Sequence, residues 1–349
     1  MTEKKRLSTR SRTMLRRSVV PGAALLAAAT VLGNSPAQAP AAPKHGTNIL
    51  LMGTDGRNTI TAKEKSTYYA GGVACNCTDV MMLVHVSADR KRLDVVSMPR
   101  DSLAEIPAHR DASGGTRPAH RAKLNGAYAE GGPALTVRTV EKMTKVDVDG
   151  YVQVDFRRFM DSVDEVGGVE VCTRRRLQDS ATRLDLAPGS HRLNGGRSLQ
   201  YVRSRHVDAS ADLGRIQRQQ RFLVSALRGL QDRGALRDRT AMSRLADTLL
   251  GSGRVDQGLG VGQLVDLAGA LSRISPSASA FTTVPITGFN PLIPGVGSTL
   301  RWDDAKAKAL FRKVREDRPL IAGGKNPKAA DPPVFGHEKP VRGTALACP

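Results

Sequence analysis

The chain has 349 residues, 40% hydrophobic and 25% charged, with a formal net charge of +20, which is enough apolar material for one large core and excludes a fibrous or repeat protein. Seven Lys or Arg and one Glu in residues 1–39 account for six of those charges and leave +14 on the remainder. The globular part itself therefore calls for anionic partners: a phosphorylated ligand, anionic lipid, an acidic wall polymer or nucleic acid.

The first element predicted is an export segment. Lys4, Lys5, Arg6, Arg10, Arg12, Arg16 and Arg17 precede an apolar run over residues 19–32, and Ala37-Gln38-Ala39 follows, the layout of a signal or anchor rather than of a basic arm before a buried helix. A run of about 14 residues is short for a spanning helix, which needs about 20, and so favours a cleaved signal. Pro40, directly after the Ala-x-Ala, favours an uncleaved anchor, and both readings stay open. Arg16-Arg17-Ser18-Val19-Val20 is also similar to a twin-arginine signal. An exported domain is separated from DNA by the membrane, and no helix-turn-helix or zinc-finger pattern is present, so nucleic acid is set aside as a partner despite the pI of 10.4.

Residues 1–46 thus form a basic tail, export or membrane segment and linker, and residues 47–320 form the main domain. Residues 48–53 read as a buried strand ending in a glycine turn, 58–76 as a polar surface insertion, and 80–86 and 92–98 as strands joined by a short polar link. A helical pattern over 131–145 opens at Gly131-Gly132-Pro133. Strand 151–154, helix 156–165 and strand 169–172 follow, then helical patterns at 195–203, 213–234, 240–251 and 261–274, a strand at 281–284 and a helix at 303–317. The alternation predicts a layered α/β fold. The Gly/Pro/Lys-rich residues 321–349 read as a disordered tail.

Cys75, Cys77, Cys172 and Cys348 suit an oxidising compartment. Cys75 and Cys77 lie too close in sequence to pair comfortably, so the expected bridge joins one of them to Cys172. A metal site lacks a His at ligand spacing from the Cys-x-Cys.

Polar clusters fall at predicted strand ends, where open α/β sheets place ligands: Thr54-Asp55-Gly56-Arg57, Thr78-Asp79 and Pro99-Arg100-Asp101-Ser102. Asp55 and Asp79 are either turn residues or joint ligands of a hard divalent ion such as Mg²⁺ or Mn²⁺. The densest signal is Arg203, Arg205, Arg215, Arg218, Gln219 and Gln220 within twenty residues. Arg215 and Gln219 share a face of a helix starting near Asp212, and a helix start plus guanidinium forks makes a phosphate cradle. The competing reading is a solvated basic face paired with Asp208 and Asp212. Nucleophile-elbow, zinc-protease and Walker patterns are missing, whereas phosphoryl chemistry by positioning and charge has support.

These blocks, with Lys123-Leu124-Asn125-Gly126 between them, occur in an order that resembles the LytR-CpsA-Psr family from about residue 47 to 317. The resemblance implies an extracytoplasmic, membrane-tethered phosphotransferase with a mixed central sheet sandwiched between helices (α/β/α) and an apolar channel for a polyprenyl chain. Its implied reaction moves a polyprenyl-pyrophosphate-linked glycopolymer (teichoic acid, capsule or arabinogalactan type) onto a peptidoglycan muramic acid hydroxyl, releasing polyprenyl phosphate. Hydrolysis of the same donor uses the same residues and is the alternative. Carried over, Asp55 and Asp79 are the metal carboxylates, and Arg100, Lys123, Arg203, Arg205, Arg215, Arg218 and Gln219 are the pyrophosphate contacts. Asp101 beside Arg100 is the candidate base for the acceptor proton. Many family members have Arg where this chain has Cys77, so one phosphate contact is missing or supplied by another cation.

Overall fold

A computed structural model describes residues 46–111, 113–250, 259–323, 327–331 and 333–348; the predicted export segment before residue 46 lies outside them. Among the described residues no helix is long and apolar enough to cross a membrane.

The centre is a six-stranded mixed sheet built from β1 (Thr47–Thr54), β2 (Thr78–Val86), β3 (Leu93–Ser97), β4 (Gly150–Val154), β5 (Ser279–Thr283) and β6 (Val341–Arg342), in the order β6-β5-β3-β2-β1-β4. β2 is antiparallel to β1 and β3, while β4 joins β1 and β5 joins β3 in parallel. Alternate residues face opposite sides of a pleated strand. Leu50 and Met52 therefore enter one core with Leu83, Val96, Phe311 and Val314, whereas Leu51 packs on the other side with Val84 and Leu267. A short helix, α1 (Ala62–Thr67), falls between β1 and β2 in the chain. The helices α2 (Gly126–Thr144) and α8 (Asp304–Arg315) cover the first face. The second is covered by α5 (Ala211–Asp232), α6 (Arg239–Leu250) and α7 (Val261–Leu271), with α3 (Phe156–Glu165) and α4 (Gly195–Arg203) beside α5. The predicted α/β sandwich is present.

Glycines set the backbone path at two points. Gly56 turns the chain after β1 where a Cβ would stand 2.7 Å from the Asp155 Cβ and 2.9 Å from the Phe156 nitrogen, so a side chain there pushes the turn off α3. Gly131 (φ −151°) and Gly132 (φ 63°) kink α2, which already begins at Gly126, before Pro133 restarts it; the predicted start at residue 131 marks that kink.

Three expectations are corrected. The segment read as a surface insertion buries Ile60 and Ala70 against Phe156, Met160 and Leu199. The residues read as a disordered tail supply β6, an edge strand antiparallel to β5, because Val341 fills a hydrophobic site beside Phe281. The disulfides are Cys75–Cys77 and Cys172–Cys348. Asn76 adopts φ 47° and brings the Cα atoms of Cys75 and Cys77 to 5.2 Å, within bridging range, while the tail carries Cys348 to 5.3 Å from Cys172. Because the second bridge spans 176 positions of sequence, replacing Cys348 by Ser is expected to lower stability by about 3–5 kcal/mol through the freer unfolded chain. A urea midpoint unchanged in Cys348→Ser, or unmoved by reductant in the native chain, contradicts this.

Candidate active site

The end of β1, the start of β2, the segment after β3, the end of α4 and the first turns of α5 meet at one place. Asp55 is 6% exposed. Its backbone N–H donates to the Cys77 carbonyl at 3.0 Å, and Oδ2 accepts from Arg57 Nε at 2.9 Å and the Cys75 N–H at 3.5 Å. Asp79 is ion-paired with Arg100 and lies 3.9 Å from Arg215 Nη1. Asp101 takes Lys123 Nζ at 2.9 Å and stands 3.6 Å from Arg100 Nε. Arg203 places its Cζ 5.1 Å from the centre of the Phe156 ring, a cation–π contact. Gln219 Nε2 donates to the Val202 carbonyl at 3.1 Å.

Two acidic residues outside the predicted set organise these cations. Asp212, in the first turn of α5, takes Arg215 Nη2 at 2.9 Å and Arg205 Nε at 3.2 Å. The sequence marks it as the start of that helix and as an ion-pair candidate, but not as a residue of the site. Asp179 is buried under the loop after α4, where one oxygen accepts the N–H groups of Arg205 (2.6 Å) and His206 (2.7 Å) and the other those of Ala181 (2.9 Å) and Thr182 (2.7 Å). No periodicity announces that role. Burial presses the Asp179 pKa up, but these N–H donors prevail and hold it below the ordinary carboxylate value. A folded pKa lower than the unfolded one, about 3.9, adds stability above that pH and loses it as pH falls through the folded value. Asp179→Ala is therefore expected to cost about 2–4 kcal/mol near neutral pH and much less once the pH has fallen through the folded value; an equal cost at both would refute the assignment.

The ion pairing with Asp212 that a basic face called for is present, but that face is not solvated, since Arg215 is 4% exposed. Burial first, and then repulsion from Arg100 and Arg205, holds the Arg215 pKa down despite Asp212; burial and the neighbouring Arg57 do the same to Arg203. Burial acts on Arg100 as well, yet Asp79, Asp101 and Asp212 outweigh it and its pKa is raised. Desolvated guanidiniums that depress each other gain most from an added anion. The Nε atoms of Arg100 and Arg215 are buried without an acceptor among the described residues.

A cavity of about 310 Å³ leads away from this cluster between β1, β2 and β4 on one side and α3, α5 and α6 on the other. α5 builds both parts. Arg215 and Gln219 stand at the polar end, and Phe222, Leu223, Ala226 and Leu230 continue the same stripe along the apolar wall, the three-and-four spacing of one helix face. Leu51, Val80, Phe159 and Leu245 face them.

Of the residues singled out in the sequence, Asp55, Asp79, Arg100, Arg203, Arg205, Arg215 and Gln219 come together here, and Lys123 joins through Asp101. Arg218 does not. Its Nη2 donates to the Ser204 carbonyl at 2.6 Å, and its guanidinium borders a different pocket, because it projects from another side of α5. The donor set fits a hard divalent ion at Asp55 and Asp79: Arg57 Nε approaches Asp55 Oδ1 to 2.8 Å, but its N–H is directed at Oδ2, leaving Oδ1 buried without a hydrogen-bond donor.

A model of the LytR_cpsA_psr family matches residues 27–314. The chain is 31% identical over 271 residues to a Corynebacterium glutamicum protein described as probable cell wall biosynthesis protein LcpB, covering 77% of this chain and 61% of that one. It is 32% identical over 181 residues to the Bacillus subtilis polyisoprenyl-teichoic acid–peptidoglycan teichoic acid transferase TagV, covering 50% and 41%. The chain thus spans less than two thirds of these relatives. In structure it is similar to B. subtilis TagV (TM-score 0.58, 24% identity, 79% of this chain and 98% of that one). It is also similar to the family protein YwtF (TagT) with bound octaprenyl pyrophosphate lipid (TM-score 0.53, 22% identity, 78% and 90%).

Proposed function

The chain belongs to the LytR-CpsA-Psr family, and from that premise we propose that it is a phosphotransferase moving a polyprenyl-pyrophosphate-linked glycopolymer onto peptidoglycan outside the cell membrane. One observation carries the proposal: an apolar cavity that ends against Arg203, Arg215, Gln219 and Asp79, the shape and chemistry of a greasy chain with a diphosphate head.

In this reading the cavity holds the polyprenyl tail by burial. Arg100, Arg203, Arg205 and Arg215 bind the phosphoryl oxygens, and the developing charge falls among donors already oriented by Asp79 and Asp212. The acceptor hydroxyl of muramic acid attacks the glycopolymer-side phosphorus, the anhydride P–O bond breaks, and polyprenyl phosphate leaves. Asp101, held by Lys123, takes the acceptor proton. Asp55 and Asp79 would hold Mg²⁺ or Mn²⁺, which would add charge neutralisation at the diphosphate. The lipid donor and the export segment read in the sequence support a membrane location, with secretion the alternative for a cleaved signal.

The test is incubation of the purified chain with a lipid-linked donor and peptidoglycan, with and without EDTA and with Mg²⁺ or Mn²⁺ restored. Polymer bound to the wall, lost with EDTA and recovered with the ion, is the expected result. Free phosphorylated polymer alone makes the chain a hydrolase, and activity indifferent to EDTA removes the metal.

A further inference from the structure

Three arginine Nε atoms among the described residues are buried with no hydrogen-bond acceptor, those of Arg100, Arg215 and Arg218. Two belong to the charged cluster already described, Arg215 also lining its cavity. The third repeats the same condition elsewhere: Arg218 is 6% exposed and borders a separate pocket of about 430 Å³ on another side of α5.

Three stretches far apart in sequence enclose that pocket: the strand and loop at residues 170–177, the face of α5 carrying Gly214, Gln217, Arg218 and Arg221, and the tail pinned by the Cys172–Cys348 bridge. Its charged lining is four arginines, Arg174, Arg175, Arg218 and Arg221, against Glu170, Asp208 and Asp331, a balance of one positive charge. Arg175 is committed to Asp208 at 2.5 Å and reaches Asp331 at 3.6 Å, and Arg221 also stands 3.6 Å from Asp331. Arg174 is exposed and has no hydrogen-bond or ion-pair partner among the described residues. Two guanidiniums are therefore left over, one at the rim and one at the buried wall. Burial keeps the Arg218 pKa below its ordinary value, which an anion beside its guanidinium would relieve.

We infer that this pocket is a second anion site that takes a single carboxylate of a peptide-bearing glycan, the chemistry of a peptidoglycan stem, with the Arg174 and Arg218 guanidiniums as its cations. A polyanionic polymer is disfavoured, since the lining has a balance of only one positive charge, whereas Glu170, whose ion-pair partner Arg192 lies outside the lining, suits an N–H or ammonium group of a peptide. The naming of peptidoglycan as the source rests on the proposed function; the anion site itself does not. The loop from Ser204 to Ser210 connects the two sites: Arg205 faces the headgroup cluster, while the Ser204 carbonyl and Asp208 hold Arg218 and Arg175. A wall fragment anchored here would bring its glycan toward the headgroup from the far side of α5.

The test is calorimetric titration of the full chain with a soluble disaccharide-pentapeptide fragment of peptidoglycan, the same fragment with its carboxylates esterified, and inorganic phosphate. Arg174→Glu and Arg218→Lys are each expected to weaken fragment binding at least tenfold, esterification to do the same, and neither variant to change binding of polyprenyl pyrophosphate. Arg174 is exposed, so its variant decides the matter if Arg218→Lys misfolds. Affinity of Arg174→Glu within threefold of the native chain overturns the site, and phosphate binding as tight as the fragment overturns the peptide assignment. Arg203→Ala separates the two proposals: it should lose the lipid pyrophosphate and keep the fragment. Retention of the lipid by that variant defeats the proposed function and leaves this pocket standing.

Discussion

Arg215→Ala is expected to lower transfer of a lipid-pyrophosphate-linked polymer by about a thousandfold, within the range seen when one preorganised cation is removed from a charge-developing transition state. The physical ground is burial. Arg215 is 4% exposed, ion-paired to Asp212 at 2.9 Å and 3.9 Å from Asp79, so water is excluded from the space it would leave beside the diphosphate. A cation at the helix start is opposed by the macrodipole, and Asp212 in the same turn answers part of that conflict; a phosphate would answer the remainder. Arg215→Lys should recover only part of the rate, since an ammonium keeps the charge and loses the planar fork. Circular dichroism must report a folded variant, because the substitution leaves Asp212 with Arg205 as its one ion-pair partner among the described residues. Folded Arg215→Ala turning over within tenfold of the native chain would remove this residue from the site.

The sequence makes some of this legible and hides the rest for identifiable reasons. Asp55, Asp79 and Arg100 could be found because each ends or begins a strand whose apolar run is plain, and strand ends are where sheets present ligands. The order of those strands could not, since β1 lies between β2 and the parallel β4, and Ile49 of β1 pairs with Gly150 of β4, just over a hundred residues on. β6 has two residues, Val341 and Arg342, too few to show alternation. Arg218 is the instructive failure. It sits one position from Gln219, but at 100° per residue that step rotates it past the boundary between two faces of α5. The boundary is fixed by the Ser204 carbonyl from another element. Asp179 was invisible for the same kind of reason, since its donors come from residues 181–182 and 205–206. Cysteine spacing misled because Cys75 and Cys77 pair only once Asn76 turns left-handed.

Filling the channel should separate tail recognition from headgroup chemistry. Ala226 lies on the apolar wall of α5 between Leu223 and Leu230, facing the cavity of about 310 Å³, and Ala226→Trp would put an indole where a polyprenyl chain is proposed to lie. Each buried CH₂ contributes about 0.8 kcal/mol, so expelling one five-carbon isoprene unit forfeits about 4 kcal/mol, roughly a thousandfold in affinity at most. Ordering a flexible tail already offsets part of that gain, so at least about a thirtyfold loss is the expected result for a long-chain donor. A donor carrying a short, water-soluble tail should bind and react as before, because Arg203, Arg215 and Asp101 are untouched. That contrast is the diagnostic. Equal losses for both donors would mean that the indole has displaced α5 and its guanidiniums, which Ala226→Phe, with a smaller ring, can check. Full affinity of Ala226→Trp for the long-chain donor would mean that the tail lies elsewhere, and the cavity would then be only a packing defect between α5 and the sheet.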